Sequence, residues 1–265
     1  MQEITGIKHP AFREALALTR QSERQRTGYY LVETANLVRQ ALRSPSEVRS
    51  VFATPEEAAQ LAADCRARNI ALYVLRSGLL NKLVGTGYET AVTALAVVKQ
   101  RVYREEELPT QGDTLLLAGE NIQDPRNVGV LIRTAEAAGC AALLLSESSA
   151  EPFSRAAVRS TTGSILRLPL CLCLDLPATL RRLREEGVHV VGSSARAPRL
   201  AYEGSLAKRP LLILVGNETT GLSEPARAAV SEMVALPMAP HGASSLNVTV
   251  AAGVLLYEAI RQAGE

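Results

Sequence analysis

The sequence predicts an α/β fold in two successive units, the second built on a mostly parallel sheet. Three observations predict it. Short β-prone runs alternate with stretches of helical periodicity along both halves of the chain. Residues 100–113 break that alternation, collecting Glu105, Glu106, Glu107, Pro109 and Gly112 without a periodic apolar face. The 265 residues, 47% hydrophobic and 21% charged, have the composition of a folded chain with room for one large core or two modest ones.

The elements follow in order. In the first half, residues 29–33 and 48–53 are rich in Tyr, Val and Phe and read as strands. Residues 35–42 and 56–68 carry Ala, Leu, Gln and Glu at helical spacing. A strand at 70–75, a short helical stretch to Val84 and a strand at 94–99 complete a compact unit. The expected organisation is a domain at 1–104, a linker at 105–113 and a second domain at 114–265. In the second domain residues 114–118, 141–145, 188–192, 211–215 and 234–236 read as strands. The unbroken apolar run at 211–215 suits a strand covered on both faces. Helices are expected at 127–138, 152–159, 176–186, 224–230 and 247–262. Val250, Val254, Tyr257 and Ile260 of the last follow helical spacing and are expected in the core.

Composition excludes several classes. No apolar run reaches the roughly 20 residues of a membrane span. The N-terminus lacks an apolar stretch behind a basic start, so a cytoplasmic protein is expected. Four cysteines without a Cys-x-x-Cys pair, far in sequence from His9, His189 and His241, indicate neither a metal site nor a disulfide framework. The net charge of +2 is uneven: residues 1–105 hold fifteen Lys/Arg against ten Asp/Glu, and the remainder fourteen against seventeen. A basic front half is a modest sign of a polyanionic partner.

Sheets of this kind place ligand sites in loops at the carboxyl ends of their strands. Three unusual loops lie there. The first, Glu120-Asn121-Ile122-Gln123-Asp124-Pro125-Arg126-Asn127, opens a helix; Asp124 and Pro125 suit its cap and first turn. Arg133 and Glu136, three apart on that helix, share a face away from Leu131, Ala135 and Ala138, which an ordinary solvated ion pair explains equally well. The second, Gly216-Asn217-Glu218-Thr219-Thr220-Gly221, follows a buried strand and lets backbone approach a ligand, or simply makes a turn. It matches neither the dinucleotide nor the P-loop fingerprint. The third runs from Leu236-Pro237-Met238 to Ser245-Leu246-Asn247-Val248-Thr249, where Ser245 or Asn247 also suits a helix cap.

In this order the three loops resemble the motifs of the SpoU (TrmH) methyltransferases of the SPOUT superfamily, over about residues 115–263. The resemblance implies a C-terminal domain with a deep trefoil knot, a homodimer, and S-adenosyl-L-methionine held by the knot loops. It implies transfer of a methyl group to a ribose 2′-hydroxyl of RNA, with no metal. By position, Gly216, Asn217, Glu218 and Gly221 would line the cofactor, and Leu236, Met238, Ser245, Leu246 and Asn247 would close around its adenosine. Asn127, Arg133 and Glu136 match the first motif, Arg133 being the residue tied to activating the ribose hydroxyl. Thr249 stands where the family more often has Ser, and the spacer from Met238 to Ser245 is about one residue longer than usual. His241 in that spacer is expected to be incidental.

The front half resembles the small RNA-binding domain, akin to a ribosomal protein, that precedes many SpoU catalytic domains. Ile4-Thr5, Pro10, Tyr30-Leu31-Val32-Glu33 and Leu37-Val38 carry the likeness, with Glu33-Thr34 in place of the usual Glu-Gly. It implies ribosomal RNA as the substrate, with phosphate contacts expected from Arg20, Arg24 and Arg26. The alternatives are base methylation by the same fold, a non-catalytic RNA-binding protein, and a small-molecule Rossmann enzyme, against which the missing fingerprint counts.

Overall fold

The computed structural model describes residues 1–84, 91–203 and 206–264. Two compact units emerge: Met1–Arg101 together with Glu151–Arg167, and Val102–Ala150 together with Leu168–Glu265.

The first unit contains β1 (Gln2–Ile4), α1 (Pro10–Ala17), α2 (Gln21–Thr27), β2 (Tyr29–Glu33), α3 (Ala35–Arg43), β3 (Val48–Ala53), α4 (Pro55–Ala67), β4 (Ala71–Leu75), α5 (Ser77–Leu80) and β5 (Ala94–Lys99). Its strands form a sheet in the order β1-β4-β3-β5-β2, with β5 antiparallel to both neighbours. Ile4, Phe12, Leu31, Phe52, Leu75 and Leu95 interlock in its core. Thr34, between β2 and α3, has φ +90° and accepts a hydrogen bond from Leu37 N at its hydroxyl. That backbone conformation favours glycine, so Thr34 holds a position that glycine would occupy with less strain.

One expectation fails here. The helix expected at 152–159, placed with the second half, forms at Arg155–Ser160 within the first unit. Phe153 just ahead of it packs on Tyr30 of β2, ring centroids 5.1 Å apart. Periodicity finds a helix but not the aromatic partner that claims it.

The second unit contains β6 (Val102–Tyr103), β7 (Leu115–Gly119), α6 (Pro125–Ala137), β8 (Ala142–Ser146), β9 (Leu170–Cys173), α8 (Leu176–Glu185, α7 being the Arg155–Ser160 helix), β10 (His189–Ser193), β11 (Arg199–Leu200), β12 (Leu211–Val215), α9 (Glu224–Ala229), β13 (Glu232–Ala235) and α10 (Val248–Ala263). Among the described residues its sheet has eight strands in the order β11-β13-β10-β12-β7-β8-β9-β6, each neighbouring pair parallel. From β7 the chain builds outward through β8 and β9, then returns to the other side of β7 with β12 and β10. The loops after β7 and β12 therefore diverge at a switch point, the place where open parallel sheets bind ligands. Strands β6, β9 and β11 were not expected; all are short.

The closing helix also corrects the sequence reading. Val250, Val254 and Tyr257 are exposed, at 50%, 39% and 54%, and Ile260 is half-buried. The core side is Val248, Ala252, Leu255, Leu256 and Ala259. The helix is apolar on two faces, so spacing alone had no means of choosing between them.

Candidate active site

The first loop begins where β7 ends. Glu120 is buried and accepts hydrogen bonds from Ser223 N at 2.8 Å and Ser223 Oγ at 2.6 Å, tying the end of β7 to the start of α9. Asp124 caps α6 by accepting from Arg126 N, and the Arg126 side chain beside it holds its carboxyl below the usual aspartate range. Pro125 follows in the first turn, where a missing N–H costs nothing.

The second loop is stiffened from inside. Asn217 N donates to Gly221 O at 3.2 Å and Gly221 N to Asn217 O at 3.0 Å. The Asn217 Oδ1 accepts from the backbone N–H groups of Thr219 and Thr220, and its Nδ2 donates to Asn121 O at 2.8 Å. Gly221 has φ +70°, and a Cβ on Gly216 would lie 2.5 Å from the backbone of Gly221 and Leu222. Glycine is required at both ends, once for conformation and once for space.

The third loop is anchored by Asn247, whose Oδ1 accepts from Thr249 N at 2.9 Å and Thr249 Oγ1 at 2.6 Å, capping α10. The three loops then meet through side chains. Asn127 Nδ2 donates to Glu218 Oε1 at 2.8 Å, and Asn247 Nδ2 donates to Asn127 Oδ1 at 3.4 Å. Gln123 N also donates to Glu218 Oε2, at 3.4 Å.

Beside this chain opens a cavity of about 370 Å³, within the size range of small-molecule sites. Gly216, Asn217, Glu218 and Gly221 line it on one side, and Leu236, Met238, Ser245 and Leu246 on the other. Of the residues expected around the ligand, Asn247 alone is outside the wall, acting as cap and as partner of Asn127. The lining also includes Ser193, Ser194, Arg196 and Arg227, which no motif indicated. His241 is exposed, with φ +60°, and is not part of the wall.

Arg133 and Glu136 are not drawn into the cavity wall. Arg133 is exposed on α6, and among the described residues it enters no ion pair, so an Arg133–Glu136 pair does not account for it. Glu136 is half-buried.

Of the three arginines expected to meet phosphates, Arg24 is misplaced. It is buried, its Nε donates to Glu151 Oε1 at 2.6 Å, and its Nη1 donates to the carbonyls of Leu18 and Thr19. A guanidinium spent on internal acceptors holds a fold together and is not offered to a ligand. Arg26 is exposed and paired with Glu23 at 2.7 Å. Arg20 instead shares a shallow groove of about 720 Å³ with Lys8 and Arg13. The acid in that groove, Glu14, is paired with Arg49 at 2.7 Å.

Comparison with known proteins shows what this arrangement is. The SpoU rRNA Methylase family matches residues 114–257, and the N-terminal family of thiostrepton-resistance methylases matches residues 1–108. The chain belongs to the SpoU rRNA methylase family. It is 30% identical to the 23S rRNA (guanosine(2553)-2'-O)-methyltransferase RlmP of Bacillus subtilis, across 97% of this chain and 98% of that protein. It is 32% identical to the 23S rRNA (guanosine-2'-O-)-methyltransferase RlmB of Vibrio parahaemolyticus, across 71% and 76% respectively. The AdoMet-bound rRNA methyltransferase of Sinorhizobium meliloti superposes with a TM-score of 0.87 at 26% identity, covering 98% of this chain and 97% of that one. The AdoMet complex of the SpoU methyltransferase AviRb from Streptomyces viridochromogenes gives 0.85 at 27%, covering 96% and 98%.

The two departures from the motif pattern lie at Thr249 and in the spacer between Met238 and Ser245. Thr249 keeps the hydroxyl and donates it to Asn247. The longer spacer lies in the exposed stretch 239–246, while Met238 and Ser245 still reach the cavity. Among the described residues no three His, Cys, Asp or Glu side chains gather as a metal site, and no helix is long and apolar enough to cross a membrane. All four cysteines are free and buried; burial pushes the Cys140 thiol up to about 12.

Proposed function

We propose that this protein is an S-adenosylmethionine-dependent methyltransferase that acts on a ribose 2′-hydroxyl of structured RNA, with ribosomal RNA as its substrate. The observation that carries the reading is the hydrogen-bond chain from Glu218 through Asn127 to Asn247, which joins all three loops beside one cavity. The residues fit the donor: Leu236, Met238 and Leu246 offer an apolar wall for an adenine ring, and the 216–221 loop offers backbone groups. When bound, the donor supplies an electrophilic sulfonium methyl.

The chain's own residues have two tasks. Asn127, held at both ends of its amide, fixes the edge of the site where an acceptor sugar enters. Alignment of this kind is worth several kcal/mol of barrier. Arg133 orients a nucleotide phosphate or stabilises the developing alkoxide. It is no general base, because guanidinium stays protonated in proteins. Asn127, Arg133 and Glu136 remain the residues we assign to the catalytic side, and Gly216, Asn217, Glu218, Gly221, Leu236, Met238, Ser245, Leu246 and Asn247 those we assign to the cofactor side.

RNA would be held in part by the first unit. The groove with Lys8, Arg13 and Arg20 has the charge and shape for a phosphate backbone, which positions an RNA without reading it. We read the protein as a cytoplasmic homodimer with the family's knotted C-terminal segment. The exposed stripe Val250, Val254 and Tyr257 on α10, which packs along α6, supports the dimer. Val254→Glu should convert the sedimenting species to monomer; an unchanged dimer would remove this face from consideration.

The test of activity is direct. Ribosomal RNA incubated with protein and donor, then digested to nucleosides and resolved by liquid chromatography and mass spectrometry, should contain a new 2′-O-methyl nucleoside. A base-methylated nucleoside, or none, would overturn the assignment.

A further inference from the structure

Two guanidinium groups in the cavity have no part in the scheme above. Arg196, in the loop after β10, and Arg227, on α9, both line the wall. Arg227 spends its Nε on Leu222 O at 3.0 Å, and its Nη2 would lie 3.8 Å from a Cβ built on Gly221. Among the described residues the Arg196 side chain enters no ion pair or hydrogen bond; only its backbone N is engaged, by Ser194 Oγ. The single carboxylate in the wall, Glu218, is bound by Asn127 and Gln123 N. The sheet order sets direction: the β10 loop with Arg196 and the β7 loop with Asn127 flank the β12 loop from opposite sides. The cavity wall thus carries two cations without an acid of their own, and Arg196 comes from the side of β12 opposite the β7 loop that holds Asn127.

Resting on the reading of the cavity as the donor site, we infer that Arg196 and Arg227 form an anion subsite that recognises the α-carboxylate of the donor's methionine moiety. A phosphate of the RNA backbone has related chemistry. The carboxylate is favoured because both arginines line the same cavity as the residues expected around the adenosine, so that one small ligand meets both sets. Charge-assisted pairs between guanidinium and carboxylate are directional and stronger than neutral hydrogen bonds.

Calorimetric titration of the full chain with S-adenosylmethionine and with decarboxylated S-adenosylmethionine, which differ in that one group, tests this. The wild-type protein should bind the intact donor on the order of ten- to a hundred-fold more tightly. Arg196→Ala with Arg227→Ala should weaken the intact donor by that factor, leave the decarboxylated one nearly unchanged and so abolish the preference. Arg196→Lys should restore part of it, since lysine keeps charge but not the two-pronged geometry. A wild-type protein that binds both donors alike, or a double variant that still discriminates, would overturn the subsite. So would a double variant with normal donor affinity and reduced RNA retention on filters, which would assign the pair to phosphate. Failure of the wild-type protein to bind either donor would be a different result, overturning the donor site itself.

Discussion

Replacing Gly216 by Ala puts one methyl group where the structure has no room for it. The added Cβ would sit 2.5 Å from Gly221 C and Leu222 N, and 2.8 Å from Gly221 O. Reaching an ordinary contact of 3.4 Å requires the loop to open by about 0.9 Å at backbone atoms, not at a yielding side-chain tip. The atoms that must move carry the Asn217–Gly221 bridge, whose two hydrogen bonds at 3.2 and 3.0 Å would stretch beyond bonding distance. Two lost hydrogen bonds at about 0.5–1.5 kcal/mol each, with about 1–3 kcal/mol for overpacking, total roughly 2–6 kcal/mol. In the free protein the loop opens, and the two lost hydrogen bonds lower its stability by about 1–3 kcal/mol. Binding must then rebuild the native loop, so donor affinity should fall at least about thirty-fold. Gly221→Ala is the control: its Cβ meets only Arg227 Nη2 at 3.8 Å, and its cost is the left-handed backbone at φ +70°, roughly 1–2 kcal/mol. Calorimetric titration of both variants decides it. Wild-type affinity in Gly216→Ala, or a larger loss in Gly221→Ala, would refute the reasoning.

Arg24→Ala should destabilise the protein by about 3 kcal/mol in urea unfolding, because it leaves the half-buried Glu151 carboxylate and the carbonyls of Leu18 and Thr19 without their donor; Arg13→Ala should leave stability within about 0.5 kcal/mol and weaken RNA binding, reducing its salt dependence. Equal effects of the two on stability would mean that Arg24 is not structural. Thr34→Gly should raise the melting temperature, since relief of about 1–3 kcal/mol of backbone strain at φ +90° exceeds the loss of a long cap bond to Leu37 N; a lower melting temperature would show that the cap outweighs the strain. The Arg261 side chain, aided by Gln262, holds the Glu258 carboxyl down from the ordinary 4.5 to about 2. A depressed carboxylate stabilises the fold above the unfolded value and loses that contribution as pH falls from 4.5 towards 2. With Arg261 68% exposed, screening leaves the effect on the order of 1 kcal/mol. Glu258→Gln should therefore flatten stability against pH over that window; an unchanged profile would contradict it.

Much of this was legible in the residues themselves. The apolar run at 211–215 is buried throughout as β12, and the Asp124-Pro125 start of α6 forms as its residue types require. The three polar loops converge because parallel strands present their carboxyl ends on one side, a consequence of topology that order and spacing already contain. What stayed hidden depends on partners distant in sequence. Nothing near Arg24 announces that Glu151 will enclose it, and nothing in residues 152–159 points to Tyr30. Glu120 looked like loop polarity until Ser223 supplied its two donors. Arg196 and Arg227 belong to no motif, so only a three-dimensional cavity brings them into one wall. The closing helix shows the limit of periodicity most plainly: with apolar residues on both faces, burial of Leu255 and exposure of Val254 are set by the sheet beneath it.

Single-turnover methyl transfer by Arg133→Ala, at donor concentrations that saturate the wild-type protein, tests the central claim that the three loops bind the donor while α6 presents the acceptor. The account predicts that transfer to ribosomal RNA is lost while calorimetric donor affinity is unchanged. Turnover near the wild-type rate would contradict it.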